Sequence, residues 1–319
     1  MSAAFRKLHR QTQGDYFALH YADDSGFKGS PYRVHPDRFA LNLAPAIQKQ
    51  AATYFAEKGI AWHQHANHGL SSQVCCLNFL MPLAQDPERL ARLVGRALGI
   101  APSVMLPMEQ DEAGTDWFVA FEWIGQQDYL NEAGKNGSRT RGANATSADA
   151  AVRFQIDGRT EIALIEWKFT ESYGSPIPPA GNETRSGRYR DLAFAPVGPI
   201  RADTGLALED FYWEPFYQML RQQILAMRME AARELDAQRV RVIHISPSGN
   251  RALHKVTAPA MRKFGEDAFT VFRSLLVDPT AFVGWSIEGL FDPDVATGNS
   301  AWADYLQLRY PLLCGGTAA

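Results

Sequence analysis

Cysteine is scarce in this chain: Cys75, Cys76 and Cys314 are the only three among 319 residues. They form neither a disulfide framework nor a zinc pattern, and adjacent Cys75 and Cys76 sit in the apolar stretch VCCLNFLMPL, where core packing is expected. No run approaches the roughly 18 to 20 apolar residues of a membrane span, and the opening MSAAFRKLHRQTQGDYF lacks the apolar stretch of a secretory signal. A cytoplasmic protein with no membrane partner is therefore expected. An excess of positive charge is missing too: 32 Lys and Arg stand against 35 Asp and Glu, a net charge of −3. The whole-molecule field would not draw in a polyanion, so a nucleic-acid partner must be met by local clusters. Two exist, Lys135, Arg139 and Arg141 in a Gly-rich segment, and Arg185, Arg188 and Arg190 farther on, although solvated surface arginines explain most such runs. No internal repeat is visible.

What is present is ordinary globular material, 46% hydrophobic and 21% charged, enough for one large domain or two smaller ones. The first sixty residues read as mixed, punctuated by Gly, Pro and Asp up to Asp37, before a helix-like PAIQKQAATYFAEKG closed by Gly59. Another helix should begin near Ser71 and Ser72, which can cap it, and DPERLARLVGRALG carries Pro in its first turn and Gly99 at its end. His63, His65 and His68 in WHQHANHG have no carboxylate or cysteine beside them to complete a metal site. The segment DWFVAFEWIG, apolar on both faces, reads as a central strand.

Two strand-like runs follow, Ala148 to Phe154 and Glu161 to Phe169, with Asp157-Gly158 between them as a hairpin turn. In the first run Asp149, Ala151 and Arg153 alternate with Ala150, Val152 and Phe154, which puts Asp149 on the polar face. The second carries the apolar Ile162, Ala163, Leu164 and Ile165 into Glu166, Trp167 and Lys168. A carboxylate two places before a lysine is cheap in itself, but Lys168 is the one lysine of eight that has it. Asp157 lies nearer to Glu166 than Asp149 does, yet it occupies the turn, where Asp serves the backbone. Two carboxylates and an ammonium on one sheet edge form an arrangement suited to metal-dependent phosphodiester cleavage.

The Pro/Gly-rich stretch after Tyr173 is too long for a mere connection and reads as a substrate-facing loop over residues 172–208. A long helix from about Leu208 to Gln238 follows, with Phe216, Leu220, Ile224, Met227 and Ala231 as its buried stripe and Gln218 and Gln222 on a neighbouring face. Arg239 to Ile245 then reads as a strand parallel to the Glu166 strand, because the helix makes a crossover. Ser246 and Ser248 in HISPSGN lack the Gly-x-Ser-x-Gly elbow of a serine hydrolase.

The order helix, strand, two-stranded hairpin, helix, strand, with sixteen residues between Asp149 and Glu166 and one between Glu166 and Lys168, resembles the PD-(D/E)XK, or restriction-endonuclease-like, nuclease superfamily. GANATSADAAVRF and LIEWKFTESY resemble a bacterial family of restriction endonucleases within it. The resemblance implies an α/β fold with a mixed sheet flanked by helices (α-β-β-β-α-β). It spans residues 70–250, behind a helical N-terminal extension over 1–69 and before a mixed C-terminal extension over 251–319. Asp149, Glu166 and the carbonyl of Trp167 would then bind Mg²⁺, with Mn²⁺ as a substitute. Lys168 would orient or help deprotonate the attacking water. Gln218, or less directly Gln222, would support the site, and Glu122 or Glu132 could complete it. The proline that names the motif is absent, since Ser147-Ala148 precedes Asp149. The implied activity is Mg²⁺-dependent hydrolysis of DNA, double-stranded by expectation, by an endonuclease of restriction or defence type. A silent DNA- or protein-binding member of the fold and an RNA-directed nuclease are the alternatives, and a homodimer that cuts both strands stays open.

Overall fold

The computed structural model describes residues 2–101, 104–143, 145–291 and 299–314. Four helices come first: α1 (Ser2–His20), α2 (Gln48–Glu57), α3 (Ser72–Leu80) and α4 (Pro87–Leu98). The short strands β1 (Val104–Leu106), β2 (Glu109–Gln110), β3 (Asp116–Trp117) and β4 (Val119–Trp123) lead to the long pair β5 (Ala148–Ile156) and β6 (Arg159–Trp167). Helices α5 (Asn182–Ala193) and α6 (Phe216–Ala231) carry the chain to β7 (Arg239–Ser246). After α7 (Arg251–His254) and α8 (Ala268–Leu275), β8 (Phe282–Ser286) and α9 (Ile287–Leu290) follow, and the helix Ser300–Arg309 comes near the C-terminus.

The hairpin forms as its turn chemistry requires. Asp157 and Gly158 both take left-handed backbone, φ 50° and 74°, the pair of conformations a two-residue turn needs to match strand twist. That turn sets the register from Ile156 opposite Arg159 to Ala150 opposite Ile165. Beyond it β6 lies parallel to β7, Glu166 beside His244, and β7 parallel to β8, in a six-stranded mixed sheet ordered β1-β5-β6-β7-β8 with β4 also on β5.

Period-two alternation divides the core. Ile165, Trp167, Ile243 and Ile245 face one apolar cluster with Phe55, Leu77, Phe79 and Leu93 of α2 to α4. Ile162, Leu164, Val240 and Val242 face the other, with Leu220 and Ile224 of α6 and Phe272 of α8. Burial of both faces makes the central strands continuously apolar.

Four readings from the sequence are corrected. DWFVAFEWIG is split between β3 and β4, and β4 pairs with β5 alone, so it is an edge strand. Burial on both faces reports the covering helices, not the number of hydrogen-bonded neighbours. The long helix covers Phe216–Ala231, not Leu208 to Gln238. It starts straight after Pro215, and Arg233 and Leu235 leave helical backbone with φ 53° and 51°, while Met227 is half-buried and Ala231 exposed. The expected loop contains α5, whose buried residues are Tyr189 and Ala193 alone, so no apolar stripe advertised it. Ser2–His20, within the stretch read as mixed, forms α1; Gly14 sits inside it where a Cβ would stand 3.1 Å from Pro31.

Candidate active site

The hairpin register brings Asp149 one step beyond the Ala150 and Ile165 pair, level with Glu166. Asp149 Oδ2 accepts the Trp167 backbone N–H at 2.6 Å, so the carboxylate is tied to the very end of β6. Lys168 follows that end, and its own N–H still bonds Ile245 O at 2.8 Å. Its ammonium pairs with Glu166 Oε1. From the other side of the sheet end α6 delivers two amides one turn apart: Gln218 Nε2 donates to Glu166 Oε1 at 2.5 Å, and Gln222 Nε2 donates to Oε2. Glu166 and Lys168 are both buried.

Burial dominates the electrostatics. It pushes the Glu166 carboxyl up to about 7, with repulsion from Asp149 adding to it and Lys168 opposing. Asp149 is likewise pushed up to about 7, by burial first, against the pull of Lys168 and with the help of the Glu122 charge. Lys168 is held well above the ordinary lysine range, because its neighbouring carboxylates outweigh the cost of burial. Buried carboxylates this close oppose each other's ionisation unless a cation joins them.

Of the two additional acids, Glu122 is the one at this place. It lines a small cavity with Asp149, Gln73 and Cys76. Left-handed backbone at Glu122, φ 51°, breaks the alternation of β4. Its carboxylate thereby turns toward α3, where it takes Gln73 Nε2 at 2.7 Å, Ser147 Oγ at 3.1 Å and approaches His63 Nε2 at 3.4 Å. Asp149 shares that side, while Ala148 and Ala151 pack toward α6. The expected polar face of Asp149, Ala151 and Arg153 is thus broken up: Asp149 becomes a half-buried pocket wall, while Ala151 is buried on the opposite side. Glu132 is occupied elsewhere, by the Tyr189 hydroxyl at 2.5 Å and by Thr146 N and Oγ1 at 2.5 and 2.7 Å.

Gln73, His63, Ser147 and Tyr173 reach the cluster without a motif to announce them. The His triplet was readable, but only the loop's path decides that His63 alone of the three approaches Glu122, while all three line a 470 Å³ cleft with Arg6 and Arg10. The first basic cluster does not face outward as a unit: Arg139 donates to the carbonyls of Ile124 and Gly125, and Arg141 pairs with Glu109 at 3.1 Å and bonds Tyr54 Oη. In the second, Arg190 pairs with Glu209 at 3.0 Å. Cys75 and Cys76 are buried in the core as expected. Ser246 Oγ lies 3.0 Å from His254 Nε2 but is wholly buried, and Ser248 is bonded to Glu288, so neither offers a nucleophile.

The oxygens available to a hard cation are the Asp149 and Glu166 carboxylates, with the Trp167 carbonyl at the same strand end. Among the described residues no three His, Cys, Asp or Glu side chains converge as a cage. A cation here would need carbonyl and water oxygens as well, the coordination that Mg²⁺ favours.

A mixed sheet flanked by helices, with a carboxylate hairpin at its end and a parallel crossover behind it, is a restriction-endonuclease-like fold. The chain belongs to the family described as restriction endonuclease associating with ARP, which matches residues 2–311. No curated protein and no solved structure matches it. Among the described residues no helix is long and apolar enough to cross a membrane.

Proposed function

We propose that this protein hydrolyses DNA phosphodiester bonds with the help of Mg²⁺, or Mn²⁺ in its place, as an endonuclease acting on duplex DNA. One observation carries the reading: Asp149, Glu166 and Lys168 come together at the end of the hairpin, with Glu166 held by two amides. The family adds the substrate class through its description as restriction endonuclease.

The two carboxylates and the Trp167 carbonyl would hold the ion, and their mutual repulsion is what a dication relieves. The bound ion supplies Lewis acidity toward a phosphoryl oxygen and lowers the cost of forming the attacking hydroxide. Lys168 Nζ orients the attacking water and offsets charge that grows on the phosphoryl oxygens. Gln218 and Gln222 fix the Glu166 carboxylate, and Glu122 adds negative charge on the Asp149 side.

Incubation of the purified protein with supercoiled, linear and single-stranded DNA, with and without Mg²⁺ or Mn²⁺, tests this directly. Metal-dependent nicking of duplex, absent in folded Asp149→Ala and Lys168→Ala variants, is expected. Cleavage retained by both variants would overturn the assignment.

A further inference from the structure

A second cationic cavity, of about 430 Å³, opens between α5, α6 and the segment before β5. Its walls bring Arg185, Arg188 and Arg221 together with Tyr189, Tyr217 and Glu132. Arg221 lies over the Tyr217 ring at 4.8 Å from its centroid, and Arg185 lies 5.7 Å from the same ring. Arg221 NH1 donates to Thr146 Oγ1 at 3.1 Å and lies 4.0 Å from Glu132, while its Nε is buried without a partner. The Arg185 bonds to Pro178 O, Ala180 O and Asn182 Oδ1 all run through NH1. Arg188 makes no side-chain hydrogen bond or ion pair among the described residues. Glu132 meanwhile is already taken by Tyr189 and Thr146. Three guanidiniums therefore face a single carboxylate and retain unused donors, which is a demand for an anion.

Position says which anion. Arg221 stands on α6 three residues after Gln218 and one before Gln222, the two amides on Glu166. We infer that this cavity binds a phosphate of the substrate strand next to the one being cleaved, with Arg185 and Arg188 as its ligands and Arg221 as the fixed charge beneath them. Guanidinium forks match phosphate oxygens bidentately, and the Tyr217 ring pre-orders two of them. The inference rests on the nuclease reading for the identity of the strand, but not for the binding of phosphate.

The test uses the full chain in two arms. In the first, inorganic phosphate and thymidine 5′-monophosphate are titrated by calorimetry, with thymidine as the uncharged control. Both anions should bind the wild type, thymidine should not, and Arg185→Ala/Arg188→Ala should weaken the anions at least about tenfold. In the second arm, anisotropy of a labelled duplex read against salt should show a slope reduced by about one in Arg188→Ala. Lysine at the same position should restore part of it. Should the double variant melt early, Arg188→Ala alone carries both arms, since no bond of its side chain is lost. Anion binding unchanged in the variants, equal binding of thymidine, or no anion binding by the wild type would each overturn the inference. Anion binding by a wild type that cuts no DNA would leave the phosphate site standing but overturn its assignment to a substrate strand, together with the nuclease reading. Cleavage with an unaltered KM in the double variant would do the reverse.

Discussion

The Tyr173 hydroxyl donates to Gln218 Oε1 at 3.1 Å, which leaves Gln218 Nε2 facing Glu166 Oε1 at 2.5 Å. One phenol outside any strand or helix thereby decides which way an amide on α6 points, and so how Glu166 is held. Tyr173→Phe should keep the fold yet lower the rate of DNA cleavage about tenfold, the usual effect of removing a group that orients a ligand. Gln218→Ala should lower it at least as far. Steady-state nicking assays at saturating Mg²⁺ and at limiting Mg²⁺ would separate weakened metal binding from a slower step; unchanged rates in both variants would contradict the proposed support.

Asp149→Asn separates activity from stability. The amide oxygen can still accept the Trp167 N–H, while the repulsion between Asp149 and Glu166 disappears. Cleavage should fall by roughly 10²- to 10³-fold, and the melting temperature measured without metal should stay equal or rise. A marked loss of thermal stability would show that the charge on Asp149 serves the fold instead.

Acid stability depends in part on His9. This imidazole is buried against the rings of Phe5 at 4.3 Å and Phe169 at 4.9 Å, and burial pushes it down to about 4. Between pH 6.5 and 4 the unfolded chain therefore binds the extra proton, so His9 withdraws stability as the pH falls through that window. The loss should approach roughly 2–3 kcal/mol by pH 4. His9→Phe should flatten this part of the stability curve in denaturant titrations at pH 7, 5.5 and 4; an unchanged slope would exclude His9 as its source.

Gly142 backs the Glu122 corner. It takes φ 75°, and a Cβ there would stand 2.8 Å from Ala61 O and 3.4 Å from the Glu122 carboxyl carbon. Gly142→Ala should cost about 1–3 kcal/mol through backbone strain and crowding. It should also slow cleavage, because relief of the contact displaces Glu122. Urea unfolding and nicking assays on the same preparation would check both.

Arg141 should behave as a residue of the fold despite its place in a basic run. Its half-hidden pair with Glu109 and its bond to Tyr54 predict that Arg141→Ala destabilises by about 3 kcal/mol and leaves the Glu109 carboxylate with the Tyr54 hydroxyl but no cation. The salt dependence of DNA binding should be unaltered. A reduced slope would restore Arg141 to the nucleic-acid surface.

The amino-acid sequence by itself determined the hairpin and its register. A two-residue Asp-Gly turn admits one local geometry, and the register back to Ala150 opposite Ile165 is counted from it without reference to distant parts. Lys168 followed from spacing, and the parallel β7 from the crossover rule. Only the tertiary structure decided which outside groups complete the cluster. Gln73, His63 and Tyr173 lie in α3 and in connecting segments, and their approach depends on how helices pack on the sheet end, which no local pattern encodes. The same holds for charge: Arg139 and Arg141 read as an exposed run but are consumed by carbonyls and Glu109, whereas Arg221, on α6 and outside either basic run, joins Arg185 and Arg188 across the cavity. Local backbone preference acts over a few residues, while burial and ion pairing are settled by whatever the chain brings back from far away.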